Sequence, residues 1–194
     1  MKREKTEVRQ RQIADAALKV IAQQGLRRFT AAAIAREVGI SDGALFRHFP
    51  DKAAIVTAAL DRAEAVMFEN FPPQHADPLE RLGMFFHQRL EMVHSNPAIV
   101  RLVMSDQLAL ASGGLGAERV KEWKARSAEF IRGCLVEAQA EGRLREGASV
   151  DALCLVVLGS ILSIGVAGSL GLSDTKTGAD KVWTTLSTLI RRES

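Results

Sequence analysis

Apolar residues recur three or four positions apart along most of the chain, the spacing that marks one face of an α-helix. A short run of this kind consists of Ala31, Ile34, Ala35 and Val38. Gly39 follows it, and glycine readily takes the left-handed conformation that closes a helix. The Ser41 hydroxyl can then cap a second short helix. Two short helices joined by such a tight turn predict a helix-turn-helix.

The same spacing continues on both sides of this unit. One helix precedes it and ends at Gly25, and another follows Pro50 and runs to about residue 68, capped by Asp51. A break with three prolines at residues 70–78 ends this first group of helices. Further helices are predicted at about 78–95, 97–108, 117–141, 152–173 and 176–192. No strand-like alternation competes with them, so we predict an all-α fold of about nine helices.

Charge is distributed unevenly along the 194 residues. The whole chain has a formal charge of +3, but residues 1–52 hold 11 Lys or Arg against 6 Asp or Glu, a balance of +5. A basic end beside a mildly acidic remainder indicates one part that binds a polyanion and one part with another task. We therefore predict a three-helix DNA-binding domain at residues 1–52, a connector helix at 53–70 and a larger helical body at 71–194.

The helix-turn-helix region resembles the DNA-binding segment of the tetracycline-repressor (TetR) family. The positions that match in order and spacing are Gly25, Thr30, Ile34, Ala35, Val38–Ser41, Leu45–Phe49 and Lys52. Two positions depart from the family pattern, since Phe46 replaces a usual tyrosine and Phe29 a common threonine. Phe46 therefore lacks the hydroxyl that would reach a phosphate. The resemblance covers about the first third of the chain.

The resemblance implies a homodimeric transcriptional regulator, a repressor that a small apolar or amphipathic ligand releases from a palindromic operator in double-stranded DNA. It also implies that the helical body binds this ligand and pairs the subunits. An alternative is a DNA-bound interaction protein whose body holds a protein partner, because the segment 95–146 is similar in layout to TetR-like nucleoid-occlusion factors.

In a helix-turn-helix the second helix enters the major groove, and its first residues lie closest to base edges. Here those residues are Asp42, Gly43 and Ala44. By the resemblance Lys52 meets a phosphate, although a solvated lysine fits its position equally well. The complete set of predicted DNA-binding residues is Thr30, Ala31, Ser41, Asp42, Gly43, Ala44, Phe46, Arg47, His48 and Lys52.

Soft and aromatic side chains in the body suit either an ordinary core or an apolar cavity between helices. The residues alone do not separate these two, and the family resemblance favours a cavity for a small-molecule effector. On that basis we predict Met92, Met104 and Trp123 as lining residues.

Residues 152–173 contain no charged side chain and are long enough to span a bilayer. A stripe of small side chains four residues apart would let another helix approach this segment closely, in lipid or in water. The serines and glycines of the run weaken the membrane interpretation, and the resemblance places a subunit-pairing helix here. The predicted dimer interface comprises Gly159, Ser163, Ala167, Gly171, Trp183 and Leu186.

No sequence signature of catalysis is present. Phosphate-cradling glycine loops, nucleophile elbows and paired-cysteine metal motifs are missing, so we predict neither an enzyme nor a cofactor. His87, Glu91 and His94 share one helix face away from the apolar side, which favours solvated side chains over a metal site. Cys134 and Cys154 are expected as small buried hydrophobes in a reducing compartment. The charged N-terminus lacks the apolar segment of a secretory signal, which predicts a cytoplasmic protein.

Overall fold

The structure, a computed structural model, describes residues 2–25, 29–96, 99–100, 103, 115–169 and 175–192. Within these residues the helices are α1 (Lys2–Gln24), α2 (Ala31–Val38), α3 (Asp42–Leu45), α4 (Lys52–Met67), α5 (Pro78–Ser95), α6 (Leu115–Ala140), α7 (Val150–Ser169) and α8 (Thr175–Ile190). Extended pairing in the described residues is limited to an isolated antiparallel bridge between Leu144 and Arg191. The predicted all-α class is confirmed, with a helix number close to nine. The helix predicted at 97–108 falls mostly outside the described residues.

By the proximity of Cα atoms the chain divides into two compact units. One consists of Met1–Met67 with Asn96–Glu122, and the other of Phe68–Ser95 with Trp123–Ser194. The functional division into residues 1–52, 53–70 and 71–194 stays a prediction.

The first unit is built around α1, which packs against α2 and α4. Because its apolar residues recur at helical spacing, α1 is buried on one face between Ile13 and Ile21. Both short helices and α4 contribute to the same core. Its buried side chains include Ile13, Ala17, Val20, Phe29, Ile34, Leu45, Phe49, Ile55, Ala59 and Leu60.

Two aspartates cap helices at the positions where the chain changes direction. Asp51 accepts a hydrogen bond from the Ala54 N–H at 2.8 Å, which confirms its predicted role at the start of α4. Asp77 accepts one from the Leu79 N–H at 2.8 Å at the start of α5. Burial raises the pKa of Asp77, but the backbone N–H groups of α5 and the Arg143 guanidinium together bring this pKa below its usual value.

In the second unit, α5 packs against α7 and α8, which also pack against each other. Helix α6 contributes to the same core, with Cys134 buried in it, and Cys154 of α7 is half-buried beside it. On α8, Leu186 and Ile190 are buried four residues apart, whereas Leu189 between them is exposed. The core includes Leu79, Leu82, Phe86, Ile131, Leu135, Val157, Ile161, Ile164, Leu186 and Ile190.

Two glycines let helices of this unit approach closely. A Cβ atom added to Gly83 on α5 would lie between 2.7 and 2.9 Å from the Trp183 ring of α8, and one added to Gly165 on α7 would lie 2.9 Å from Val93. The Trp183 ring also lies 5.3 Å from the Phe86 ring, centroid to centroid. Trp183 therefore packs within its own chain, against α5.

Helix α7 contains a stretch, Val150–Ala167, with a mean hydropathy of 2.3, which is long and apolar enough to cross a membrane by length and composition. Core helices of water-soluble proteins can share these properties, and Val157, Ile161 and Ile164 lie in the core. Val150, Leu153 and Leu158 are half-buried against this core, whereas four other large apolar side chains of α7 are exposed. These are Leu155, Val156, Leu162 and Val166.

Gly83→Ala is expected to destabilise the protein by about 1–3 kcal/mol, because the added methyl group would force the Trp183 ring to move. Gly133→Ala on α6 is a matched control, since no atom lies within 4 Å of its added Cβ. Alanine there should stabilise the protein by about 0.4–1 kcal/mol, because it lowers the conformational entropy of the unfolded chain. Urea unfolding followed by circular dichroism measures both changes. Equal stability of the two variants would contradict the packing of Trp183 on Gly83.

Candidate DNA-binding site

The first short helix is closed at both ends by its own sequence. The Thr30 hydroxyl accepts a hydrogen bond from the Ala33 N–H at 3.1 Å and caps the start of α2. Gly39 ends the helix with a φ of 76°. In this left-handed conformation the N–H groups of Gly39 and Ile40 reach carbonyl oxygens of the last turn of α2, at 3.2 and 2.9 Å. The predicted turn is therefore confirmed in detail.

The second short helix is fixed at its start and on its inner face. The Ser41 hydroxyl accepts a hydrogen bond from the Ala44 N–H at 3.2 Å, as its predicted capping role requires. Leu45 and Phe49 are buried in the core of the first unit. Asp42 and Gly43, by contrast, are exposed. The first turn of α3 thus faces solvent while the other side of this segment is held by packing.

The ten predicted DNA-binding residues all lie in the first unit, and none is buried. Ala31, Ala44 and His48 are half-buried, and the other seven are exposed. Phe46 has 47% of its surface exposed, which is high for a large aromatic side chain. The exposed Phe46 and its exposed neighbour Arg47 therefore give the surface at the end of α3 both apolar and cationic character.

Lys52 at the start of α4 is held by an aromatic ring. Its Nζ atom lies 5.0 Å from the centroid of the Phe29 ring, a distance at which the ammonium group is attracted to the ring face. Phe29 itself is buried. Phe29, which stands where the family commonly has a threonine, therefore positions the predicted phosphate-binding lysine. Sequence reasoning noted this departure but assigned no role to it.

Gln10 on α1 is a second residue that sequence reasoning missed. Its side-chain amide donates a hydrogen bond to the His48 carbonyl oxygen at 3.0 Å and so ties α1 to the turn after α3. Within the described residues, the Nδ1 atom of His48 is buried without a hydrogen-bond partner. Glutamine on an otherwise polar helix start gives no sequence signal for such a long-range contact.

Residues 13–59 match the family model described as bacterial regulatory proteins of the tetR family. These residues form a TetR-family DNA-binding domain. The match covers the buried part of α1, the helix-turn-helix and the first half of α4. TetR-family proteins are DNA-binding regulators and not enzymes, so the predicted class of function is confirmed.

Known proteins resemble the chain well beyond this region. The nucleoid occlusion factor SlmA of Vibrio campbellii is 29% identical over 178 residues, which cover 87% of this chain and 88% of that protein. Further relatives of the same name align over 53 to 64% of their own lengths.

Solved structures of TetR-family regulators share the fold. The ketosteroid transcriptional regulator KstR2 of Mycobacterium tuberculosis superposes with a TM-score of 0.75 at 20% identity, over 95% of this chain and 96% of that one. The regulator FadR of Bacillus subtilis, solved in complex with stearoyl-CoA, superposes with a TM-score of 0.67 at 22% identity, over 92% and 98%. At these identities the likeness shows the fold alone.

The residues predicted to line a ligand cavity have different environments in the structure. Met92 on α5 is half-buried, and Trp123 on α6 has 2% of its surface exposed. Met104 lies outside the described residues. Among the described residues, no three or more His, Cys, Asp or Glu side chains lie together in a way that could hold a metal ion.

The residues predicted for subunit pairing are divided between the surface and the core. Ser163 is exposed, Ala167 is half-buried, and a Cβ added to Gly159 would meet no atom within 4 Å. Leu186 has only 9% of its surface exposed, so most of this side chain is already buried in the core of its own chain. Trp183 packs on α5 of its own chain, as described above, and Gly171 lies outside the described residues.

Gly39→Ala is expected to destabilise the protein by about 1 kcal/mol, because alanine is strained at a φ of 76°. Gly43→Ala is the matched control in the same motif. It has open space around its added Cβ and lies in α3, so it should keep or raise stability by up to about 1 kcal/mol. Urea unfolding of both variants tests this contrast. Wild-type stability of Gly39→Ala would show that the left-handed turn is not required.

Proposed function

We propose that the chain is a cytoplasmic, homodimeric transcriptional repressor that binds a palindromic operator and is released from it by a small apolar or amphipathic effector. The observation that carries the DNA-binding part is the first turn of α3, which is exposed while Leu45 and Phe49 hold the segment from behind. A rigidly held, solvent-facing helix start is what a major-groove reader requires.

The proposed DNA contacts fall into two groups with different effects. Asp42, Gly43 and Ala44 lie where base edges would be met, while Arg47 and Lys52 are cations suited to phosphates. The base-facing group offers few long polar side chains. Part of the sequence preference should therefore come from the shape and deformability of the DNA.

A second copy of the chain is proposed to cover the exposed face of α7. We define the pairing face as Leu155, Gly159, Leu162, Ser163 and Val166, which lie at three- and four-residue spacing and so share one side of the helix. Leu155 has 71% of its surface exposed. Apolar surface of this kind is stabilised when a partner helix removes it from water. Trp183 and Leu186 contribute less to this proposal, since both pack in their own chain.

The proposed effector acts through the helical body. The FadR structure with stearoyl-CoA supports it, since the same fold there holds an amphipathic molecule. Met92, Met104 and Trp123 stay the proposed lining residues. To release DNA, the effector must bind the non-operator arrangement of the subunits more tightly, because equal affinity for both arrangements shifts nothing.

A second candidate function is favoured by the relatives named nucleoid occlusion factor. In it, the DNA-bound dimer uses its body to hold a protein partner and needs no small molecule. Thermal-shift screening with small molecules separates the two functions. Stabilisation by a compound that also releases DNA supports the repressor. Capture of a defined protein partner by the DNA-bound form, with no such compound, supports the interaction protein.

Selection of bound sequences from random DNA tests the operator directly. We expect a palindrome whose half-sites are centred about one helical turn of DNA, or a multiple of it, apart. Mapping this motif near the chain's own gene would identify regulated targets. Enrichment of no motif would contradict a sequence-specific repressor.

Lys52→Ala should weaken specific and non-specific DNA binding alike, because a phosphate contact carries no base information. The slope of log affinity against log salt should fall by about 0.9 for each subunit. Lys19→Ala is the matched control, since Lys19 is an exposed lysine of the same unit that pairs with Glu37. Titrations at several salt concentrations measure the slopes. An unchanged slope for Lys52→Ala would remove Lys52 from the proposed contacts.

Leu162→Glu should convert the dimer to monomer and reduce operator affinity, because a buried, unpaired carboxylate is costly and the two half-sites are then no longer engaged together. Val136→Glu on α6 is the matched control, since Val136 and Leu162 both have 48% of their surface exposed. Light scattering after size-exclusion chromatography gives the oligomeric state. A dimeric Leu162→Glu protein would place subunit pairing elsewhere.

A further inference from the structure

Four phenylalanine rings form a cluster in the second unit that no predicted site includes. Phe71 contacts the rings of Phe68, Phe85 and Phe130, with centroids 5.3, 6.0 and 5.1 Å away. Phe85 is buried, whereas the other three rings are half-buried. The cluster therefore belongs partly to the core and partly to the surface.

One arginine of α5 lies inside this cluster. Arg89 has 8% of its surface exposed, and its Cζ atom lies 5.0 Å from the Phe85 ring centroid and 5.4 Å from that of Phe68. It donates a hydrogen bond to the Ser127 hydroxyl at 3.2 Å. Burial, together with the charge of Arg126, lowers the pKa of Arg89 to about 10. The side chain is therefore still cationic at neutral pH.

A second arginine lies against the same rings from α6. The Cζ atom of Arg126 is 4.2 Å from the Phe68 ring centroid and 4.9 Å from that of Phe71. The residue is exposed, and within the described part of the chain it makes these ring contacts and no ion pair. Two guanidinium groups thus lie against one ring, and the outer one is accessible to solvent.

Like charges held close together on apolar rings repel each other, and this repulsion is screened less than it would be in water. An anion bound to Arg126 would relieve it. The guanidinium group presents paired N–H donors that match the oxygens of a carboxylate or a phosphate. The half-buried rings beside it offer apolar surface to whatever is attached to that anion.

We propose that Arg126, together with Arg89 and the phenylalanine cluster, binds the anionic head group of an amphipathic ligand, whose apolar chain lies against Phe71 and Phe130. This inference rests on the proposed ligand-binding role of the body, but not on DNA binding or release. It assigns the charge of the ligand: a carboxylate or phosphate on an alkyl chain is preferred over a neutral molecule of the same length.

Isothermal titration of the full-length protein with decanoate, decyl phosphate and 1-decanol tests this preference. Wild-type protein should bind at least one of the two anions about tenfold or more tightly than the alcohol, as expected for charge-assisted hydrogen bonds. The anion that binds more tightly identifies the head-group class. Arg126→Ala should lose the preference and keep its affinity for decanol, whereas Arg126→Lys should retain part of the preference.

Arg132→Ala is the matched control, because it removes another exposed guanidinium group from α6, one that pairs with Asp151 and touches no phenylalanine ring in the described residues. It should keep the full preference for the anion. Thermal unfolding of each variant verifies that it is folded. Equal binding of decanol and the anions, or no anion binding, would overturn the proposal. Retention of the preference by Arg126→Ala would overturn it as well.

Operator binding measured in the same samples separates this inference from the proposed function. Anion binding without release of DNA would support the proposed anion site but contradict its role as the effector site of a repressor. Release of DNA by decanol alone would support an effector-controlled repressor and contradict the anion site.

Discussion

The left-handed turn at Gly39 is the constraint on which the DNA-binding unit depends. With a φ of 76° it lets the N–H groups of Gly39 and Ile40 bond back to the last turn of α2, which ends this helix before Ser41 caps α3. In the helix that follows, Leu45 lies in the core while Asp42 and Gly43 are exposed to solvent. Local backbone chemistry thus decides which residues face outward, and packing against α1 and α4 makes that arrangement rigid.

The second unit shows how one apolar helix can satisfy two requirements. Gly165 lets α7 approach Val93 closely, so Val157, Ile161 and Ile164 enter the core. The opposite face keeps Leu155 and other large side chains in solvent. A helix that is apolar on all sides needs a second partner for that face. In our proposal a neighbouring subunit covers this surface in water.

Aromatic rings position cations in both units. The Phe29 ring holds Lys52, and the Phe68 ring lies against Arg89 and Arg126. The attraction between a cation and a ring face restrains the side chain without neutralising it. Each cation so held keeps its charge for an external anion, which in our proposals is a DNA phosphate in one unit and the head group of a ligand in the other.

Sequence alone determined the all-α class, most helix ends and the helix-turn-helix, because these depend on local signals: apolar spacing, capping side chains and a glycine at the turn. Tertiary structure decided the rest. Gly159 and Gly165 look alike in sequence, yet one is open and the other packs on Val93. Trp183 and Leu186 were predicted in the dimer interface, but they pack within their own chain. The contact of Arg126 with the Phe68 ring joins residues more than fifty positions apart in the sequence. Helical periodicity shows which side of a helix is apolar, but not which neighbour covers it, since that depends on contacts between distant segments.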